Sequence, residues 1–171
     1  KQDGDGFSVT TNKNTYKTKS VLLCIGRRGT PRKLGVPGEE LPKVVYRLID
    51  PEQYKGQHVL IVGGGDSALE AATSIAEQPG TTVSISYRSG SFSRAKQKNQ
   101  DLVKQASDAG KLNVLLSSNV KQITNDKVTI DQEGNEVVID NNAAIVCAGG
   151  ILPTPFLKQI GIEVETKHGT V

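Results

Sequence analysis

This chain of 171 residues contains no Met and no Trp, three Phe, four Tyr, two Cys and two His. Each scarcity removes a class of function. So few aromatic side chains leave little surface for stacking bases, and a net charge of +3 is too small to argue for a polyanionic partner. No nucleic-acid role is expected. Cys24 and Cys147 lie far apart inside apolar runs, where cysteine usually behaves as a small buried hydrophobe, so neither a disulfide framework nor a zinc site is indicated. His58 and His168 have no Asp, Ser or Cys at a spacing that suggests a triad or a metal site, and no metal is expected. The longest apolar stretches, 21–25 and 143–152, fall short of the roughly 20 residues that cross a bilayer, and there is no signal-peptide pattern. No membrane span is expected, and a cytoplasmic, reducing setting is the default. Without Met, and beginning at Lys1, the chain is expected to be a piece of a longer protein.

What is present is a soluble globular composition, 36% hydrophobic and 23% charged, with 18 glycines. Several of those glycines fall in an informative place. The apolar run His58-Val59-Leu60-Ile61-Val62 leads directly into Gly63-Gly64-Gly65-Asp66-Ser67-Ala68, which opens an amphipathic helical pattern. Strand, glycine turn, helix is the sequence pattern of a dinucleotide-binding turn: glycines permit the tight bend and a close backbone approach to a pyrophosphate, and the amides at the helix start face the phosphates. From there the chain alternates. A strand at 58–62, a helix at 66–78, a strand at 82–87, a helix at about 95–109 and a strand at 113–116 predict an α/β fold with a parallel sheet and helices on both faces.

The flanks repeat each other. Residues 7–31 read as two strands around Asn12-Lys13-Asn14, then the apolar strand Val21-Leu22-Leu23-Cys24-Ile25, then Gly26 and Pro31; residues 127–153 read as strands around Glu133-Gly134-Asn135, then Ala143-Ala144-Ile145-Val146-Cys147, then Gly149 and Pro153. Each copy is a hairpin followed by a buried strand that ends in a glycine loop, so that the fold includes an antiparallel β-meander. The second copy closes the nucleotide-binding unit, whereas the first has no such unit in front of it.

Three motifs carry a resemblance to a known family: Thr18 to Gly26 with Pro37-Gly38 beyond it, the turn and helix from Gly63 to Ala72, and Tyr87-Arg88-Ser89 followed by Phe92 and Arg94-Ala95. The chain resembles the thioredoxin-reductase-like pyridine nucleotide-disulfide oxidoreductases, over roughly residues 15–160. The resemblance implies a Rossmann-like NADPH-binding domain at 36–150, with 1–35 a residual meander and connection from an FAD domain and 151–171 the return connection. The parent's FAD domain is then a partner in the same chain, an unidentified electron acceptor is a second partner, and a homodimer through the parent is left open. FAD is expected in the parent only. The basic run from Arg27 to Lys33 falls in a connection and is read as a solvated hinge.

Enzymes that choose NAD usually carry an acidic residue at the end of the second strand to bind ribose hydroxyls. This strand ends Tyr87-Arg88-Ser89 instead, and a guanidinium suits the 2′-phosphate of NADP. The expected cofactor contacts are Gly63, Gly65, Asp66, Ser67, Ala68, Arg88, Ser89 and Arg94, with Lys96 nearby and with Ala148 and Gly149 in the loop after the last parallel strand. Glu70 matches an acidic position that lies near the nicotinamide in the family, or simply favours the helix dipole. The stretch 38–56 contains no Cys-x-x-Cys, so dithiol exchange is not expected, and no residue here is assigned a catalytic role. The reading is the NADPH domain of an enzyme that passes hydride to FAD and on to another acceptor. The alternative is a stand-alone NADP(H)-sensing or nucleotide-binding module; a short-chain dehydrogenase is disfavoured because no Tyr-x-x-x-Lys pair follows the unit.

Overall fold

The computed structural model describes residues 1–25 and 30–165; Gly26, the Arg27-Arg28-Gly29 part of the basic run and His168 lie outside them. Residues 31–149 form one compact unit, and the described residues on either side of it form another.

The flanking unit begins with strands β1 (Gln2–Asp3), β2 (Gly6–Thr10) and β3 (Thr15–Thr18), antiparallel in that order. The Thr11 hydroxyl shapes the hairpin loop, donating to the Asn14 carbonyl at 3.0 Å and accepting the Lys13 and Asn14 N–H groups at 3.2 and 3.0 Å. The next segment departs from expectation. Residues 21–25 form no strand, Leu22 is 87% exposed and Cys24 is exposed as well. Apolar composition makes a buried strand only where neighbouring strands accept its backbone groups, and among the described residues none pairs with this run. The two-residue strand β4 (Thr30–Pro31) then leads into the central unit.

Five parallel strands form the centre, in the order β5 (Val44–Val45), β12 (Ala143–Val146), β6 (His58–Val62), β7 (Thr82–Ser86) and β8 (Leu112–Leu115). Because successive strand side chains point to opposite faces, Val59, Ile61, Val83, Ile85, Ala143 and Ile145 share one face while Leu60, Ala144 and Val146 share the other. On the first face lie α1 (Asp66–Ala76), through Ala68, Leu69, Ala72 and Ile75, and α2 (Gln97–Asp108), through Val103. The small alanines of α1 let it approach the sheet closely. On the second face lies an antiparallel meander, β9 (Ser118–Ile123), β10 (Lys127–Gln132) and β11 (Asn135–Asp140), which contributes Val120, Ile123, Val128 and Ile130. The mixed α/β class with a parallel sheet and a meander is what the structure has. Helices on both faces it does not have: both long helices cover one face, because the alternating apolar residues of β9 and β10 already cover the other. Strand β9 went unforeseen, since its interleaved Asn119, Lys121 and Gln122 disguise a half-buried strand.

The hairpin between β10 and β11 closes through Glu133 and Gly134, both at positive φ (53° and 86°), the geometry of a two-residue turn matched to strand twist. Helix α1 ends shortly before Pro79-Gly80, as the sequence predicts. Beyond the central unit come the two-residue strand β13 (Gly150–Ile151) and a short exposed helix, α3 (Thr154–Gln159), inside the stretch read as a plain connection.

A buried carboxylate fixes the entry to the central unit. Glu39 accepts the Leu34 and Gly35 N–H groups at 2.6 and 2.7 Å and the Tyr46 hydroxyl at 3.0 Å. Burial by itself would raise its pKa, but these three donors and the Lys33 charge together hold it below the ordinary value. The ionised form is thus favoured by folding, and its stabilisation is complete above the unfolded pKa of roughly 4.3 and lost as pH falls through the lower folded value. Glu39→Ala is expected to cost about 1.5–3 kcal/mol near neutral pH, with the difference from the parent chain shrinking on acidification. Urea unfolding of both chains across that range checks it.

Candidate functional site

The loops that follow β6, β7 and β12 emerge side by side, because these strands are parallel neighbours, with Val62 opposite Ser86 on one side and Val146 on the other. The chain leaves β6 toward β7, whereas β12 flanks it on the opposite side. This is the switch point at which open α/β sheets place ligands. All the sequence-predicted contacts lie on these three loops or the first turn of α1: Gly63 to Ala68 after β6, Arg88, Ser89 and Arg94 after β7, and Ala148 and Gly149 after β12.

The three glycines do different things. Gly63 has φ +145°, its N–H donates to the Ser86 carbonyl at 3.0 Å, and an added Cβ would lie 2.5 Å from the Cys147 carbonyl oxygen. An added Cβ at Gly64 would overlap the Tyr87 ring. Gly65, with ordinary extended backbone, faces open space: nothing lies within 4 Å of the place its Cβ would take. The first two make the turn possible, and the third keeps its surface clear. Gly65 also caps α1 without any side-chain bond, and its carbonyl accepts the Ala68 and Leu69 N–H groups at 2.9 and 3.2 Å. The Asp66 and Ser67 amides stand in the first turn, where a helix supplies no acceptor and its dipole favours an anion.

Side chains at the helix start are used otherwise than expected. The Asp66 carboxylate turns to the second helix, where one oxygen accepts the Lys96 N–H at 2.8 Å and the Asn99 amide at 2.7 Å. These two hydrogen bonds, the Lys96 backbone one foremost, hold its pKa below the usual carboxylate value. Asn99, 7% exposed, also donates to Glu70 at 3.1 Å. Sequence reading missed Asn99 because a lone Asn on a helix carries no motif; its burial on an otherwise polar first turn is the only signal. Cys147 donates its N–H to the Val62 carbonyl at 2.7 Å, and burial pushes its thiol pKa up, so the reactive thiolate is disfavoured.

Beyond β7, the Tyr87 ring stacks on Phe92 at 5.7 Å between centroids, and the Ala95 N–H donates to the Phe92 carbonyl at 2.9 Å. Phe92 and Ala95 are buried, while Arg88, Ser89, Arg94 and Lys96 are exposed. A pinned loop therefore presents free cations, and no carboxylate among the described residues pairs with Arg88 or Arg94. The lone carbonyl of Gly149, at φ +86°, accepts the Arg32 N–H at 3.0 Å.

The arrangement of a parallel sheet with helices on one face, a meander on the other and a glycine turn at its switch point is shared with solved thioredoxin-reductase-like proteins. Among solved structures, the bacillithiol disulfide reductase Bdr (YpdA) from Staphylococcus aureus matches with a TM-score of 0.86 and 29% identity, over 97% of this chain and 51% of that one. The T. acidophilum thioredoxin reductase matches with a TM-score of 0.79 and 25% identity, over 96% and 55%. The chain belongs to the pyridine nucleotide-disulphide oxidoreductase family, whose model matches residues 1–171. Among curated relatives, a ferredoxin–NADP reductase of Ignicoccus hospitalis is 32% identical over 98% of this chain and 55% of its own length. The bacilliredoxin reductase Bdr of Bacillus subtilis is 27% identical over 99% and 52%. The chain thus spans about half the length of the curated relatives it matches. The family is one of flavin-dependent oxidoreductases, and its members use FAD and NADP(H). Among the described residues, no helix is long and apolar enough to cross a membrane, and no cluster of His, Cys, Asp or Glu is arranged to hold a metal.

The turn geometry separates two glycine variants. Gly63→Ala forces a side chain into a positive-φ position and against a carbonyl, and is expected to cost about 2 kcal/mol or more. Gly65→Ala meets open space and gives up only a favoured cap residue, about 0.5–1 kcal/mol. Thermal unfolding of the two variants beside the parent chain checks the order.

Proposed function

We propose that this chain is the NADPH-binding domain of a flavin-dependent oxidoreductase, which presents NADPH to an FAD held by the rest of a longer parent. The observation that carries the reading is the joint placement, at the carboxyl ends of β6 and β7, of a helix start that no side chain caps behind Gly65 and a pinned loop bearing exposed Arg88 and Arg94. The residues fit the cofactor. Open space at Gly65 admits a pyrophosphate to the amides of Asp66 and Ser67, and Arg88, with Arg94, Ser89 and Lys96, forms a cationic surface for the 2′-phosphate. Ala148 and Gly149 border the crevice from the β12 side. NADPH supplies the hydride; the chain's own residues bind, orient and neutralise charge, and none is assigned a catalytic role. Asp66 binds through its backbone amide in this reading, because its carboxylate is committed to α2.

The missing Cys-x-x-Cys in residues 38–56 favours transfer through FAD to a separate acceptor over dithiol exchange within this domain. Relatives named as ferredoxin–NADP reductases support that direction. FAD is proposed to belong to the parent alone. The exposed apolar segment 21–25 supports a flanking unit completed by further protein.

Titration calorimetry is expected to show tighter binding of NADPH than of NADH. Arg88→Ala should remove much of the difference, each lost charge-assisted contact costing about 1.5–3 kcal/mol. Equal affinities of the unsubstituted 171-residue chain for the two cofactors overturn the NADP assignment. The purified chain is further expected to be colourless and without NADPH oxidase activity; flavin absorbance in the preparation overturns the division between NADPH here and FAD elsewhere.

A further inference from the structure

An aspartate beside a phosphate-binding turn is electrostatically out of place, since its charge opposes the anion that the helix start attracts. The structure shows what occupies it. Helix α2 has no side-chain cap of its own at Lys96. Its start is held instead from the neighbouring helix, by the Asp66 oxygen that accepts the Lys96 N–H at 2.8 Å and the Asn99 amide at 2.7 Å. The loop from Arg88 to Ala95 is held near its start by the Ser89 carbonyl, which accepts the Ser117 N–H at 3.1 Å, and beyond that by two further anchors. At one end Phe92 stacks on Tyr87, whose ring lies over Gly64; at the other, Asp66 grips the residue after Ala95. Arg94 sits between Phe92 and Ala95, exposed, within a turn closed by the Ala95 N–H on the Phe92 carbonyl at 2.9 Å.

We propose that Asp66 is a positioning residue for cofactor choice: it ties the Arg88–Lys96 loop to the glycine turn, and so sets where the cations stand relative to a 2′-phosphate that its own carboxylate does not touch. This inference rests on the NADPH reading above and extends it to a residue expected, from sequence, to contact the cofactor directly. Free loops bind with an ordering cost that pinned loops have already met in folding. Releasing the anchor therefore weakens the contact that NADPH has and NADH lacks.

The sign of the effect separates positioning from charge. If Asp66 acted only as a repulsive charge, removing it would favour the more anionic NADPH, and Asp66→Ala and Asp66→Asn alike would raise the NADPH-to-NADH affinity ratio. If it positions the loop, Asp66→Ala lowers the ratio by about five- to tenfold, the size of one lost hydrogen-bond anchor. Asp66→Asn, which keeps an accepting oxygen, holds the ratio at or above the parent value. Calorimetric titration of the 171-residue chain with both cofactors reads this directly. In an Arg88→Ala background, Asp66→Ala is expected to lower the ratio by less than it does alone, because the two act through one loop. Asn99→Ala, which removes one donor, should lower it about two- to threefold and gives an independent reading should Asp66→Ala fail to fold. A parent chain that prefers NADPH and keeps or raises that preference in Asp66→Ala overturns this inference alone. A preference unaltered by Asn99→Ala does the same where Asp66→Ala cannot be made. A parent chain with equal affinities overturns the NADPH reading, and this inference with it.

Discussion

The close passage of β6 against its two parallel neighbours is the constraint on which the rest depends. At the end of the strand, the Gly63 N–H reaches the Ser86 carbonyl of β7 while the Cys147 N–H reaches the Val62 carbonyl, leaving no room for a Cβ between Gly63 and the Cys147 carbonyl. Three strand ends are thereby drawn together. The loops that follow them, one glycine-rich, one basic and one ending in Gly149, are brought together at the carboxyl ends of the strands, where open α/β sheets place ligands.

The same constraint orders the layers. With Ile61 and Ile85 fully buried on one face and Leu60 on the other, the sheet has no solvent side, as parallel sheets generally do not. Small side chains on α1 bring that helix low over the first face, so its start points along the strand ends. The meander covers the second face, and its first residue reaches the carboxyl end of β7, where the Ser118 N–H donates to the Tyr87 carbonyl at 3.0 Å and the Ser118 and Ser86 hydroxyls lie 2.7 Å apart. Tyr87 belongs to both systems: its ring packs over Gly64 and stacks on Phe92, so the glycine turn and the basic loop are seated on one aromatic contact.

Electrostatics at the site are divided between backbone and side chain. Helix amides supply the partial positive charge of the turn, while the nearest carboxylates, Asp66 and Glu70, are engaged by Asn99. Arg88 and Arg94, on the loop after β7, pair with no carboxylate among the described residues. The chain's membership of the pyridine nucleotide-disulphide oxidoreductases accords with a turn of this kind.

The sequence by itself determined what is local. The periods of apolar residues in 58–62, 66–78 and 82–87, the glycines that allow a sharp bend and the Pro79-Gly80 stop are properties of short segments, and the elements they predict form there, the helix ending two residues sooner and the second strand one. Tertiary structure decided what depends on distant neighbours. The two repeats look alike in sequence, yet 143–146 is a core strand between β5 and β6 while 21–25 lies exposed, because burial of a strand depends on strands elsewhere to pair with it. Which face the helices would take was settled by β9 and β10 covering the other. The use of Asp66 was settled in the same way: its place in the turn is read from sequence, but the donors that claim its carboxylate lie some thirty residues on, at the start of α2. Periodicity and turn chemistry act over a few residues; pairing, layering and the partners of a side chain are set by contacts that only the folded chain creates.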